Sequence, residues 1–576
     1  MISSFQINPV IADQSDFAGI VARRLQKIYK SGFQERLVNR ILALTTRQYD
    51  AWPEWSEQDI VLITYGSSIR AENELPLRSL HVFLKENLSE IVSSIHILPF
   101  FPYTSDDGFA VSDFMTVNPV LGTWDDVSAI GRDFYLMTDL VINHVSSAHP
   151  WFSNYLQNIS PGKGFFIETE KGADYSMVIR PRSTALFTRF KTAAGEKDVW
   201  TTFSTDQIDL NFSNPEVLIE IIKVLIFYIG RGARFIRLDA IAFLWKCAGT
   251  FCLHLDETHE IVKLLRDVAT FVRPGTIILT ETNVPNIENW SYFGNGDEAH
   301  MVYQFSLPPL LLHALFSGNA FYLNRWAHEI PETAANQTFL NYTASHDGIG
   351  VRPLEGLLPE HELNALIDGM SGSGGFISMR ANQDGSLSPY EMNITWFNAM
   401  KVTSKGSDNM YESRYICSQT IMMAMKGIPA FYIHSLLATP NDHKGVESTG
   451  RYRTINRKEL DRDELYGTLH SDTPQKRIYE ELKRLILIRK RCQAFYPGAA
   501  QVIIDRGNEV FGFTRMNMAT HQTVHCLSNV TDSYITINTV LSPSKRGYDL
   551  IADEFIGSSA QIVLRSYQTR WIVEAE

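Results

Sequence analysis

Five short segments carry acidic, basic and imidazole side chains at a spacing that could act on one bond. RFIRLDA sets Arg237 and Asp239 two residues apart, IILTETN carries Glu281, and NYTASHDGIG carries His346 and Asp347. TDLVINHVS carries Asp139, Asn143 and His144, and TSDDGF carries Asp106 and Asp107. One carboxylate alone more often caps a helix or pairs with a base than it catalyses. A group of them repels itself and shifts its members' pKa values, a cost tolerated mainly where chemistry uses it. Two carboxylates facing one anomeric carbon can cleave a glycosidic bond: one attacks while the other protonates the leaving oxygen. Asp239 suits the attacker, because Arg237 beside it would hold its pKa down. Glu281, between Thr280 and Thr282 and farther from that arginine, suits the acid. Asp347 could then bond sugar hydroxyls and offset the charge of an oxocarbenium-like transition state.

These segments must lie at one end of a scaffold for this to work, and the pattern around them supplies one. Runs rich in β-branched and aromatic residues recur at Asp59–Tyr65, Ser94–Phe100, Phe134–His144, Ala233–Ala240, Thr276–Thr282, Met301–Ser306, Phe339–Asp347 and Ile428–Ser435. Helical patterns such as Asn214–Arg231 and Glu257–Val272 lie between most of them. Apolar strands alternating with helices predict an α/β fold, a closed (β/α)8 TIM barrel. An open dinucleotide-binding sheet would want GxGxxG after its first strand, where TYGSSIRAEN stands instead. Arg237 and Asp239, two apart on one strand, would share the face toward the barrel axis. Two connections are too long for simple loops, and both follow C-terminal strand ends, the face where barrel enzymes build their sites. The expected parts are an N-terminal helical segment with the first part of the barrel (1–144), an insertion after strand three (145–207), barrel again (208–347), and an insertion after strand seven (348–400). The end of the barrel (401–497) and an antiparallel β domain (498–576) complete the chain.

On DLVINH (139–144), RFIRLD (234–239), TETN (280–283) and SHD (345–347), in this order, the chain resembles the α-amylase superfamily of retaining α-glucoside enzymes. The resemblance implies Asp239 as nucleophile, Glu281 as acid/base and Asp347 as transition-state stabiliser, with Arg237, His144 and His346 binding the sugar. LPFFPYTSDDGF (98–109), IRPR (179–182), HDGIG (346–350), SPYEMNITWFNA (388–399) and INR (455–457) are similar to the sucrose phosphorylase subfamily. That implies Asp106 on glucose hydroxyls, Phe109 and Phe243 as the apolar wall of the glucose pocket, and Arg182 and Arg457 on the acceptor and phosphate side. Phosphate entering among carboxylates needs such cations, and arginine offers a two-point grip. The implied reaction is reversible phosphorolysis of a small α-glucoside through a covalent glucosyl-enzyme, releasing α-D-glucose 1-phosphate. Glu391 stands where sucrose-specific members carry glutamine, and glutamate there resembles glucosylglycerate phosphorylases. The expected role of Glu391 is to accept hydrogen bonds from glyceryl hydroxyls, with Arg182, Arg352 or Arg457 meeting the acid group. Sucrose, glucosylglycerol and sucrose 6-phosphate are the alternative substrates, and hydrolysis or transglucosylation on the same barrel is the alternative reaction.

Composition narrows the remaining classes. The 576 residues are 44% hydrophobic and 20% charged, which excludes a mainly disordered chain. Lysine plus arginine (52) against aspartate plus glutamate (64) leaves −12, a balance that argues against binding nucleic acid by phosphate neutralisation. Five scattered cysteines without a CxxC pair suggest neither a disulfide frame nor zinc. No calcium loop of the EF-hand type is present. The expectation is no metal and no cofactor, with inorganic phosphate as co-substrate. MISSFQINPVIADQ shows no signal-peptide pattern, and the most apolar stretch, Val217–Gly230, contains Glu220 and Lys223, so no membrane partner is expected. The expected location is the cytoplasm and the expected state a monomer or homodimer. RLILIRKRC (484–492) reads as a helix with one solvated face, and AWPEWSEQD (51–59) as packing at the rim opposite the site.

Overall fold

The computed structural model describes residues 14–182, 184–382, 386–541, 546–557 and 561–575. Eight parallel strands close into a barrel: β1 (Val61–Thr64), β2 (Ser94–Ile97), β3 (Tyr135–Val141), β4 (Ala233–Asp239), β5 (Ile277–Thr280), β6 (Met301–Tyr303), β7 (Thr338–Asn341) and β8 (Ile428–Tyr432). Each strand pairs with its neighbours in sequence, and β8 returns to β1, so no edge is left open. All eight expected barrel strands are present, and each stops short of its expected end, by one residue in β1 and β4 and by two to six in the others. The residues beyond them leave the ladder and become the site. His144–Ser146, expected to extend from β3, pairs antiparallel with Gln207–Asp209 instead.

Local sequence explains the helices that buttress the barrel. Helix Pro215–Gly230 starts on Asn214, whose side chain accepts from the Glu216 N–H at 3.1 Å, and has proline in its first turn. Nine of its apolar residues are buried, as expected of a helix packed on strands. Helix Trp124–Asp133 opens with a capping box between Thr123 and Asp126. Inside β4 all seven residues are buried, including Arg234 and Arg237. The alternation divides them. Arg234 turns to Asp59 (3.0 Å) and the ring of Tyr135, while Arg237 and Asp239 share the other face.

Between β3 and β4 the chain inserts a hairpin, Phe187–Thr192 with Gly195–Trp200, and the short pair that roots it at His144. Between β7 and β8 it inserts helix Glu360–Gly372 and a three-stranded sheet of Ile349–Gly350, Phe376–Ala381 and Leu387–Asn393. Part of NQDGSLSP (383–385) and the first 13 residues, within the segment expected to be helical, lie outside the described residues. Helices Gln14–Tyr29 and Glu35–Leu44 follow those 13 residues. A six-stranded antiparallel sheet closes the C-terminus and includes strands Arg546–Asp549 and Glu554–Ile556, which the sequence pattern did not predict. They are three and four residues long, with Gly547 in one and an exposed Phe555 in the other, so no alternation marks them. Helix Pro474–Lys490 buries one face, and its Arg489 is itself buried, donating to the carbonyls of Met423, Glu57 and Phe495.

Candidate active site

The floor of the site is one guanidinium shared by two strand ends. The β3–β4 register places Asp139 beside Arg237 and Val141 beside Asp239. Arg237 Nη1 donates to Asp139 Oδ1 at 2.5 Å and to Asp239 Oδ1 at 2.7 Å. Behind it, His96 Nε2 lies 2.7 Å from Asp139 Oδ2. Burial acts to raise the Asp139 carboxyl, but His96 and Arg237 outweigh it and bring it down to about 2. Asp139 is therefore a fixed anion that orients Arg237.

Immediately after Asp239 the chain turns sharply. Ala240 has φ +51°, a left-handed conformation uncommon for a residue with a side chain. The turn points the Ala240 N–H at Glu281 Oε2, 3.0 Å away. Glu281 follows the end of β5, and its own N–H donates to the Leu238 carbonyl at 3.1 Å. The two carboxylates are thus anchored by adjacent backbone. Burial is the largest influence on both and raises both, most strongly Asp239; Arg237 opposes it in each, and a neighbouring carboxylate adds to it. Arg237 does act to hold Asp239 down, as expected, but burial, Glu281 and Asp139 outweigh it and the net shift is upward. Two such carboxyls do not titrate independently. Burial acts more strongly on Asp239, but the direct bond from Arg237 stabilises its ionised form and suits Glu281 as the proton carrier.

Asp347 comes from the irregular segment after β7. Asn456 Nδ2 clamps that segment by donating to the carbonyls of Ser345 (3.1 Å) and Asp347 (3.0 Å). Asp347 Oδ1 lies 2.6 Å from Arg453 Nη1 and 3.6 Å from Arg457 Nη2, and Oδ2 lies 3.6 Å from His346 Nε2. Burial acts to raise this carboxyl too, but Arg453, His346 and Arg457 bring it well below the carboxylate range. His346 stacks on Phe109 with centroids 5.0 Å apart and meets the edge of Tyr65. Its burial lowers its pKa to about 3, so it is a neutral hydrogen-bonding group at physiological pH.

The segment before Phe109 is strained in a way that serves the site. Asp106 (φ +55°) and Asp107 (φ +48°) are both left-handed, a cost of about 1–2 kcal/mol each. Gly108 follows at φ +114°, where a Cβ would sit 2.6 Å from the Pro99 carbonyl. The bend splits the pair. Asp107 turns to Arg451 (3.0 Å) and Arg457 (2.5 Å), and Asp106 accepts from Gln207 Nε2 at 3.2 Å. Burial pushes Asp106 up, but Arg453, Arg457 and Arg182 outweigh it and leave it below its ordinary value. Arg457 Nε donates to the His346 carbonyl at 2.7 Å, and its buried Nη2 has no hydrogen-bond partner. A polar cleft of about 470 Å³ on the barrel rim is lined by Tyr65, Tyr103, Asp107 and Arg457.

His144 Nε2 donates to the Phe109 carbonyl at 3.0 Å. Phe203 joins the ring of His144 (5.2 Å) to that of Phe243 (5.4 Å). Arg182 lies over the ring of Tyr390, 5.3 Å from its centroid, and pairs with no carboxylate among the described residues. Glu391 is buried, and both its oxygens are taken by Arg453: Nε donates to Oε2 at 3.0 Å and Nη2 donates to Oε1. Each oxygen keeps a second lone pair, so the contact with Arg453 leaves Glu391 able to accept a hydrogen bond from a hydroxyl.

The twelve expected residues converge on one region, joined by direct contacts or by mutual charge. Sequence reasoning missed Arg453, Gln207, Phe203, Tyr390 and Asn456. Arg453 and Asn456 stand in the same RYRTINRKEL segment as Arg457, and Tyr390 stands beside Glu391, so proximity to a motif was the available signal. Among the described residues, no group of three or more His, Cys, Asp or Glu is arranged to hold a metal ion. Beside the site, the buried Lys246 ammonium lies 2.6 Å from Asp209 Oδ2 and donates to Asn143 Oδ1 at 2.7 Å.

Residues 88–349 match the alpha amylase catalytic domain. The chain is 44% identical over 523 residues to the glucosylglycerate phosphorylase of Allomeiothermus silvanus, covering 90% of this chain and 92% of that protein. It is 41% identical over 522 residues to the glucosylglycerate phosphorylase of Escherichia coli, with the same two coverages. Its fold superposes on sucrose 6F-phosphate phosphorylase from Thermoanaerobacter thermosaccharolyticum with a TM-score of 0.72 at 24% identity, over 88% of this chain and 98% of that one.

Proposed function

The chain belongs to the alpha-amylase family as a retaining glycoside phosphorylase, and we propose that its substrate is glucosylglycerate. Asp239 attacks the anomeric carbon as Glu281 gives its proton to the leaving glycerate oxygen. The C1–O bond breaks and a C1–Asp239 ester forms. Phosphate then attacks C1, gives a proton to the ionised Glu281, and displaces Asp239, leaving α-D-glucose 1-phosphate with retained configuration. Asp347 and Asp106 bind the glucose hydroxyls, with the free Arg457 Nη2 between them, and Phe109 and Phe243 form the apolar wall.

The observation that carries the acceptor assignment is the pairing of charges on the open side. Arg182 forms no ion pair among the described residues and reaches Asp106 only at longer range, while Arg453, its side chain 19% exposed, is held by Glu391 and Asp347. Phosphate and glycerate are both anions, so cations that admit one also favour the other as the acceptor space changes hands. Arg457, held by Asp107 and the His346 carbonyl, belongs on this reading to the glucose side, and Arg182 and Arg453 to the acceptor side. The reaction uses phosphate as a co-substrate and no cofactor. Among the described residues no helix is long and apolar enough to cross a membrane, in keeping with a cytoplasmic enzyme.

The test compares glucosylglycerate, glucosylglycerol, sucrose and sucrose 6-phosphate, each with and without phosphate. Glucose 1-phosphate should form only with phosphate, and fastest from glucosylglycerate. Free glucose released at equal rates in both conditions would refute phosphorolysis. A higher kcat/KM for neutral glucosylglycerol would refute the acceptor assignment alone.

A further inference from the structure

The loop after β4 brings two thiols together and ties them to the first insertion. The Cys252 sulfur accepts from the Cys247 N–H and donates to the Cys247 carbonyl, both at 3.3 Å. Thr250 tightens the turn, its N–H and its hydroxyl both donating to that same carbonyl, at 3.2 and 2.7 Å. Cys252 is held left-handed, at φ +51°. A disulfide joins residues whose Cα atoms lie about 4.4–6.8 Å apart, and a sulfur resting on both backbone polar atoms of its partner is within that reach. The two thiols differ in access: Cys247 is exposed and Cys252 is buried. The other three cysteines are buried. Burial pushes the Cys417 thiol up to about 12, the Cys492 thiol up to about 11 and the Cys526 thiol well above its ordinary value, so they stay protonated and unreactive. The same loop holds the segment that carries Arg182. The Phe251 carbonyl accepts from the Ile179 N–H at 3.2 Å, and the Gly249 N–H donates to the Asp174 carbonyl at 2.9 Å. The Cys252 side chain packs with Val178 and Trp200 in a small apolar cluster. The start of the loop is pinned, because the Lys246 ammonium before it is buried against Asp209. A rearrangement of the turn therefore moves its far side, where Val178 and Ile179 attach.

We propose that Cys247 and Cys252 form a reversible thiol–disulfide site, and that oxidation closes this loop on itself and loosens the segment that carries Arg182. The oxidant is a hydroperoxide. Its oxygen–oxygen bond breaks as the exposed Cys247 sulfur attacks one oxygen, giving a sulfenic acid, while the thiol proton leaves with the other oxygen. The Cys252 sulfur then attacks the Cys247 sulfur: the S–S bond forms, the S–O bond breaks, and water carries away the second thiol proton. With hydrogen peroxide the sum is two thiols oxidised to one disulfide and one peroxide reduced to two waters. A dithiol reverses it by exchange. Cys252 gives up both bonds to the Cys247 backbone and leaves its place beside Val178 and Trp200, so Ile179 loses its anchor three residues before Arg182. The covalent step is independent of how the active site is read; only its effect on phosphate rests on placing Arg182 at the acceptor side.

The experiment treats the whole enzyme with hydrogen peroxide and then with dithiothreitol. Both cysteines fall in one tryptic peptide, residues 247–263, so the disulfide shows as that peptide made lighter by two hydrogens and resistant to alkylation. On oxidation KM for phosphate should rise about tenfold, the scale of one lost charge-assisted contact, with kcat at saturating phosphate changed little. Dithiothreitol should restore both the peptide mass and KM. Cys247→Ser should match the untreated wild type and be unmoved by peroxide; because Cys247 is exposed, that variant leaves the buried cluster around Cys252 intact. A peptide that gains oxygen instead of losing hydrogens would overturn the proposal, as would an equal loss of activity in peroxide-treated Cys247→Ser. A disulfide that forms while KM for phosphate stays unchanged would overturn the link to Arg182. Arg182→Ala locates that failure: a raised KM there puts the fault in the loop, and an unchanged one puts it in the reading of Arg182.

Discussion

Arg237 decides where one proton sits at the centre of the site. It bonds Asp239 directly and Glu281 not at all, which stabilises the ionised form of Asp239 and leaves Glu281 as the proton carrier, although burial raises Asp239 the more strongly. A carboxyl whose pKa is raised stays protonated where an ordinary glutamate is ionised, and loses that proton as pH rises through the raised value. The kcat/KM for glucosylglycerate should therefore fall on the alkaline side of its optimum, and Glu281→Gln should abolish that limb in a pH–rate profile. The same variant should lose far less on glucosyl fluoride, whose leaving group needs no proton; an equal loss on both would remove Glu281 from the acid role. Asp239→Asn should lower kcat by about 10⁴-fold or more on either donor and leave no covalent glucosyl adduct in mass spectra. These three carboxylates were legible in the sequence because each stands at or beyond the end of a buried strand, where polarity interrupts an apolar run. Arg453 was not. Its partners come from segments far away in the chain, Asp347 and Glu391, and it reaches them only because Tyr452–Asn456 folds as a short 3₁₀ turn. The same distance hid the partner of Glu391, since nothing in SPYEMN shows that Arg453 holds it.

At the scale of elements, the eight strands were legible because buried parallel strands read as continuous apolar runs bounded by polar ends. Their true ends were not, since a strand stops where its neighbour's ladder stops, and that depends on register. The insertion after β3 depends on a further feature that composition hides. Lys246, in the loop after β4, is buried with Asp209 and Asn143, and Asp209 also accepts from the Thr202 N–H and hydroxyl at 2.7 Å. One ammonium thus ties the barrel to the segment that carries Phe203 and pairs with His144. Lys246→Met would leave the Asp209 carboxylate buried without its cation, a loss of about 3–5 kcal/mol. Limited proteolysis should then cut within 145–207 much faster than in the wild type, and KM for the glucosyl donor should rise as His144 and Phe203 lose their support. Wild-type cleavage rates would show that the ammonium contributes nothing to the seating of the insertion.

The whole molecule places its C-terminal sheet where it supports the site from behind. The barrel core continues without a break into Phe511, Phe513, Val524 and Trp571 of that sheet. Polar bonds cross the same boundary: buried Arg515 Nη1 donates to the Ala424 carbonyl at 2.8 Å, Gln501 Oε1 accepts from the Lys426 N–H at 2.7 Å, and the Ala320 N–H donates to the Asn508 carbonyl at 2.6 Å. Gly427, next to Lys426, leads into β8, and Thr338, which opens β7, bonds the Pro497 carbonyl at 3.0 Å. Both strands feed the segments that carry Asp347, Arg453 and Arg457. A domain joined this way has no separate stability to lose. Trp571 is fully buried against Phe495, and Trp571→Ala should remove roughly 3–5 kcal/mol. Because the core is shared, that loss should lower one common transition: activity, tryptophan fluorescence and far-ultraviolet circular dichroism should fall together on heating, at a lower temperature than in the wild type. Activity that outlasted the unfolding of the C-terminal sheet would mean that the barrel holds its strand ends without help from behind.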